Sequence, residues 1–310
     1  MYAAPWWLPG GHLQTIYAAL RRPPRLRLAR ERWDTPDGDF IDVDFAGDPK
    51  AAPRRLVLFH GLEGSADSHY ARAIAAHFAA HGWRVAIVHF RGCSGEPNRT
   101  PRAYHSGDTA EIDWVLRKLG APLCAAGISL GGNALLKWLG ERSEEAHSLV
   151  QRAAAISAPI NLAAAGHALD RGLNRLLYTR HFLATLRPKS LAKLQMFPGL
   201  YDAATVRAAR TFREFDNLVT APLHGFRDVD HYWSAASSAS WLERIRVPTL
   251  LLNARNDPFL PEHALLAASR KAAPSVVLEF PRTGGHAGFL SGPFPGRPWL
   301  PQRLLEFLDR

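Results

Sequence analysis

Apolar residues fall into two rhythms along this chain, and their alternation predicts a layered α/β architecture. Short apolar runs at residues 55–59, 84–90, 123–128, 153–157, 249–253 and 276–280 read as strands, the first two of them buried. Between them apolar positions recur at helical spacing: Tyr70, Ile74 and Phe78; Ile112, Val115, Leu116 and Leu119; Leu135, Trp138 and Leu139; Leu300, Leu304, Phe307 and Leu308. Gly82 stops the first of these helices and Gly120 the second, with Ser106 or Asp108 placed to cap the start of the second. Residues 31–35 and 40–45 alternate apolar and polar around Pro36-Asp37-Gly38-Asp39, which predicts a hairpin. Strand followed by helix, repeated, is the pattern of a mostly parallel sheet covered on both faces.

The rhythm breaks after Pro159. Residues 162–235 are helical or irregular and basic, and they offer no strand pair before the alternation resumes at Thr249. The expectation is one α/β domain over residues 1–310. Its core is about 27–161 and 236–310, a helical cap is inserted over about 162–235, and an arm precedes it at 1–26.

Candidate chemistry sits at the strand ends. Gly127-Ile128-Ser129-Leu130-Gly131 follows an apolar strand and opens a helix. A serine hydroxyl becomes a useful nucleophile when it is exposed, held beside a base and given an oxyanion site. A sharp strand-to-helix turn supplies the exposure, and it needs small residues two before and two after the serine, where strand and helix nearly touch. His60-Gly61-Leu62-Glu63-Gly64 ends another strand. The Leu130 and Leu62 amides are the candidate oxyanion donors, and His60 reads as a buried brace of its loop. The base and its orienting acid should follow in the order Asp, His. Asp257 lies past the strand 249–253. His286 lies in Thr283-Gly-Gly-His-Ala-Gly288, past the last strand, with glycines on both sides. Ser129 as nucleophile, His286 as base and Asp257 as orienter therefore form the candidate triad. His263, the nearest rival, lies inside a helical pattern.

Other groups change the picture less. Asp228, Asp230 and His231 are too loosely spaced for a metal and read as ordinary polar contacts. Cys93 reads as packing beside the pocket. Trp6, Trp7, Trp233 and Trp241 read as core or cap packing. Gly131-Gly132-Asn133 lacks the lysine and the length of a phosphate loop. The 310 residues are 47 % hydrophobic and 21 % charged, an ordinary globular balance. The formal charge of +10 is mostly arginine. Part of it lies at Arg21, Arg22, Arg25, Arg27 and Arg30. More lies at Arg171, Arg175, Arg180, Arg187, Lys189 and Lys193. No nucleic-acid motif accompanies it, so no nucleic-acid partner is expected. A solvated surface is the plain reading, and weak contact with anionic lipid is the alternative. Two cysteines, no recognisable signal peptide and no run of 18 apolar residues lead to the expectation of a cytoplasmic chain with free thiols.

Several runs are more specific than the serine motif alone. Gly11-His-Leu-Gln-Thr15, His60-Gly-Leu-Glu-Gly-Ser65, Phe90-Arg-Gly-Cys-Ser-Gly-Glu-Pro-Asn98 and Tyr104-His-Ser-Gly107 are four of them. The others are Gly127-Ile-Ser-Leu-Gly-Gly-Asn133, the stretch from Phe215-Asp216 to Gly225-Phe226, and Gly284-Gly-His286. Together they resemble the YheT-like branch of the α/β-hydrolases over nearly the whole chain. The resemblance implies the eight-stranded fold with a helical cap, a triad at Ser129, Asp257 and His286, and carboxylic ester hydrolysis, with some relatives acting on lipids. Acyl transfer to water through such a triad needs no cofactor and no metal. The expected substrate is a small-molecule or lipid ester. A non-catalytic binding module on the same fold is the alternative of a different class; it normally goes with a broken triad, and this triad is complete.

Overall fold

A computed structural model describes residues 2–21, 25–49 and 54–310. Arg22, counted above in the basic arm, lies outside the described residues. Eight strands form one sheet: β1 (Ala29–Asp34), β2 (Phe40–Ala46), β3 (Arg54–Phe59), β4 (Trp83–Val88), β5 (Leu123–Ile128), β6 (Val150–Ile156), β7 (Thr249–Leu252) and β8 (Val276–Glu279). Their order is β1-β2-β4-β3-β5-β6-β7-β8. The predicted hairpin β1–β2 pairs antiparallel and β2 meets β4 antiparallel, while every pairing from β4 to β8 is parallel.

The period of two sorts side chains between the faces. In β3, Val57 and Phe59 join one apolar cluster, and Leu56 and Leu58 join the other. Four helices frame the site: α1 (Gly11–Leu20), α2 (His69–Ala80), α3 (Thr109–Leu119) and α4 (Leu130–Arg142). Helices α3 and α4 cover the Val57 face through Ile112, Val115, Leu135 and Leu139. Helix α2 and the last helix, Leu300–Leu308, cover the Leu56 face through Ile74, Phe78, Leu304 and Phe307. Asp108, one of the two expected caps, starts α3: its carboxylate accepts from the Glu111 N–H at 3.3 Å. Strand β2 departs from the expected alternation, because all seven of its residues are buried. Its polar members Asp42 and Asp44 are matched by Arg32 and Arg30 of β1.

Between β6 and β7 the chain is helical from Leu162 to Arg244, with turns between the helices and no strand among the described residues. Buried Asn133 on α4 ties that segment down. Its amide donates to the Ser106 carbonyl and the Ala236 carbonyl, both at 2.8 Å, and its oxygen accepts from the Ser238 N–H at 3.0 Å. Of the basic residues read as a solvated surface, Arg171, Arg175, Arg180 and Lys189 are exposed, and Lys193 is the exception. Lys193 is buried, and its ammonium donates to the Asn98 and Thr100 carbonyls at 2.9 and 2.7 Å. Lys189 pairs with Glu63 at 2.9 Å. Trp6 is a correction: it is 91 % exposed rather than packed, while Trp7 next to it packs edge-on against Tyr17.

Candidate active site

Parallel strands end on the same side, so the sheet register brings the candidate residues to one edge. Ile128 of β5 pairs with Ile156 of β6, which sets Ser129 beside Ser157. Ser129 turns the chain from β5 into α4 with φ 54° and ψ −119°, a strained conformation for a residue with a side chain. The turn is tight enough that a Cβ on Gly127 would stand 2.4 Å from the Gly131 carbonyl oxygen. One on Gly131 would stand 2.5 Å from that of Phe59. This close approach, which only glycine permits, is what the motif spacing anticipated.

The His60–Gly64 turn faces the serine: a Cβ on Gly61 would lie 3.1 Å from the Ser129 Cβ. Two partly buried tyrosines hold this turn. Tyr70 Oη accepts the Gly61 N–H at 2.9 Å, and Tyr104 Oη accepts the Glu63 N–H at 2.8 Å. The Gly64 N–H goes to the Gly61 carbonyl at 3.0 Å. Three of the four amides from 61 to 64 are thereby engaged, and the one between the tyrosine-bound pair is Leu62. The Leu130 N–H is at the first helical position of α4, where the helix itself supplies no acceptor. Ser129, Leu62 and Leu130 line a cavity of about 460 Å³, and Leu162, Phe182 and Phe212 of the helical segment line it too.

His60 is a brace. It is fully buried; one ring nitrogen donates to the Gly61 carbonyl at 2.7 Å and the other accepts the Phe90 N–H at 3.1 Å. Burial pushes it down to about 3, so the ring stays neutral.

Asp257 and His286 come together across 29 residues of chain: Nδ1 of His286 lies 2.9 Å from Asp257 Oδ2 and 3.2 Å from Oδ1. Asp257 is buried, and its Oδ1 also accepts the Phe259 N–H at 2.8 Å. With Nδ1 bound to the carboxylate, Nε2 is the nitrogen open to proton transfer. The Phe259 ring, which lines the same cavity as Ser129, stacks on the imidazole with centroids 3.9 Å apart. The Ala287 N–H donates to the Ser157 hydroxyl at 2.9 Å, so the histidine loop is pinned to the residue beside Ser129.

The family follows from comparison with known proteins. The α/β hydrolase fold family model matches residues 54–293. The chain is 38 % identical to YheT of Escherichia coli, a protein named as an esterase, over 96 % of this chain and 89 % of that one. This chain belongs to the YheT-like branch of the α/β hydrolases. It is also 32 % identical to Phospholipase ABHD3 of Mus musculus, over 93 % of this chain and 71 % of that protein. The esterase EaEST from Exiguobacterium antarcticum shares the fold at a TM-score of 0.60 and 16 % identity, with 91 % of this chain and all of that one covered.

Of the remaining candidates from the sequence, Cys93 lies at the cavity, while His263, Asp228, Asp230 and His231 do not line it. His263 is on the helix Glu262–Ser269. Asp228 caps the helix Val229–Ala236, Asp230 pairs with Arg213 at 2.6 Å, and the His231 ring accepts the Arg227 N–H at 3.1 Å. Cys93 lines the cavity, and burial pushes its thiol up to about 12, which leaves it a poor nucleophile. Among the described residues no helix is long and apolar enough to cross a membrane. Sequence reasoning missed Tyr70, Tyr104 and Ser157, and gave no role to Gln14 and Thr15. The runs containing Tyr104, Gln14 and Thr15 were visible in the resemblance, but nothing in a linear sequence says which loop each would meet.

Proposed function

We propose that this chain is a serine carboxylic ester hydrolase working through an acyl-enzyme on Ser129. The observation that carries the reading is the pairing of His286 with buried Asp257, 2.9 Å apart, pinned beside a strained serine turn. In this mechanism Ser129 Oγ attacks the ester carbonyl while His286 Nε2 takes its proton, and the Asp257 carboxylate stabilises the imidazolium. The Leu62 and Leu130 amides receive the tetrahedral oxyanion. His286 then protonates the leaving alcohol, and water resolves the acyl-enzyme by the reverse sequence. The helical segment 162–235 serves as a cap that walls the cavity with apolar side chains. The test is a fluorophosphonate probe with a chromogenic short-chain ester. Wild type should label and turn over; Ser129→Ala should do neither while keeping the wild-type circular dichroism. Equal labelling of both proteins would end the assignment.

A second reading has its own observation. Leu173 and Leu176, 53 % and 65 % exposed, and Leu177 lie on one short helical stretch with Arg171, Arg175 and Arg180. Exposed leucines among arginines suit an anionic bilayer surface. Relatives named as a phospholipase and a monoacylglycerol lipase support a lipid ester as substrate. Co-sedimentation with phosphatidylglycerol vesicles, weakened when Leu173 and Leu176 become aspartate, is the expected result. No binding by wild type would leave the soluble ester as the substrate.

A further inference from the structure

The loops that carry Asp257 and His286 are joined to each other by a third element, helix α1 near the start of the chain. Gln14 is 2 % exposed, and its Oε1 accepts two hydrogen bonds: from the Asn256 side-chain amide at 2.9 Å and from the Gly284 N–H at 2.8 Å. Its Nε2 donates to the Leu8 carbonyl at 2.9 Å, which fixes the orientation of the amide. One carbonyl oxygen thus bridges the residue before Asp257 and the residue two before His286. The next residue completes the clip. Thr15 Oγ1 accepts the His286 N–H at 2.8 Å and donates to the Gly11 carbonyl at 2.7 Å. Asn256 closes the ring by accepting the Gly285 N–H at 3.1 Å on its Oδ1.

The packing leaves no slack. A Cβ on Gly11 would stand 2.0 Å from the Asn256 carbonyl oxygen, and one on Gly285 would stand 2.7 Å from the Gly11 carbonyl oxygen. Gly285 has φ 59°, so the loop takes this path because glycine occupies that position. Three backbone N–H groups in a row, those of Gly284, Gly285 and His286, end on side chains of Gln14, Asn256 and Thr15, and a fourth, that of Ala287, ends on Ser157. A glycine-flanked loop would otherwise be the most mobile part of the site.

We propose that Gln14 and Thr15 are positioning residues: they clip the acid loop to the base loop and so hold the Asp257–His286 geometry. The inference rests on the acyl-enzyme reading for its kinetic consequence and on the hydrogen-bond network for its structural one. A displacement of about 1 Å in such a constellation costs on the order of 100-fold in rate. The loss falls on the proton-transfer step, so it appears in kcat, while KM, set by the cavity walls, holds.

The test compares Gln14→Ala, Thr15→Val and Thr15→Ser in the full chain. Thr15→Val keeps the volume and removes the hydroxyl; Thr15→Ser keeps the hydroxyl. Turnover of a chromogenic ester is expressed per fluorophosphonate-titrated site, so misfolded protein does not count. Gln14→Ala and Thr15→Val should lose about 10- to 100-fold in kcat with KM within about twofold, and Thr15→Ser should stay near wild type. The second readout is the downfield proton resonance of the His286 Nδ1–H bond to Asp257, which should broaden or vanish in Gln14→Ala and Thr15→Val and persist in Thr15→Ser. Unchanged kcat per site together with an unchanged resonance in Gln14→Ala and Thr15→Val would overturn the proposal. A wild-type protein that neither labels nor hydrolyses would instead overturn the acyl-enzyme reading, and the resonance would still decide the clip.

Discussion

Removing one hydroxyl, by Tyr104→Phe, tests how the proposed oxyanion site is held. Tyr104 Oη accepts the Glu63 N–H at 2.8 Å and donates to Glu63 Oε1 at 2.9 Å, while its ring stacks on Phe90 with centroids 5.4 Å apart. Phenylalanine keeps the stack and loses both hydrogen bonds. A buried N–H left without an acceptor costs about 1–3 kcal/mol, well within the 5–15 kcal/mol that typically stabilises a domain, so the variant should fold. The Glu63 N–H then loses its acceptor, and of the two tyrosine anchors on the turn's amides only Tyr70 at Gly61 remains. The Leu62 amide lies between these two anchors, and freeing one lets it move out of line. Complete loss of an oxyanion donor costs about 100- to 1,000-fold in kcat, so partial misplacement should cost about 10- to 100-fold, equal to about 1.4–3 kcal/mol of transition-state stabilisation. Ester kinetics per titrated site, alongside urea unfolding, separate the two effects. A variant that loses the expected stability yet keeps kcat within twofold of wild type would refute the assignment of Leu62 as donor.

Gly131→Ala should lower stability by about 1–3 kcal/mol and kcat by tenfold or more, because the new Cβ would meet backbone oxygens of Phe59 and His60 at 2.5 and 2.6 Å; wild-type melting temperature and rate would contradict the tight-turn argument. His60 gives a pH signature. It stays neutral in the fold down to about 3 but takes up a proton near 6.5 when unfolded, so its contribution is fully present above pH 6.5 and is lost as pH falls toward 3. His60→Gln removes that titration. The stability gap between variant and wild type should therefore narrow by about 2 kcal/mol between pH 8 and pH 5 in urea titrations, at about 1.4 kcal/mol per unit below pH 6.5. A constant gap would show that the ring is protonated in the native state.

The linear pattern alone determines much of this molecule. Apolar runs such as 55–59 and 123–128 can form only buried strands between amphipathic helices, since their side chains must leave water on both faces. Glycines two before and two after Ser129 suit a close approach of strand and helix, and parallel strands ending on one side let residues past β5, β7 and β8 meet. These are local or periodic constraints, readable residue by residue. Tertiary structure alone decided the rest, because it depends on which distant segments meet. Lys193 looked like one more surface charge until the Asn98 and Thr100 carbonyls were found around it. Tyr104 became an anchor by reaching across 41 residues to Glu63, and Gln14 a bridge by reaching 242 residues to Asn256 and 270 to Gly284. A hydrogen bond is specified by position to a few tenths of an ångström. Hydrophobic periodicity fixes a residue's face and not its partner, so such contacts exist only once the sheet has been assembled.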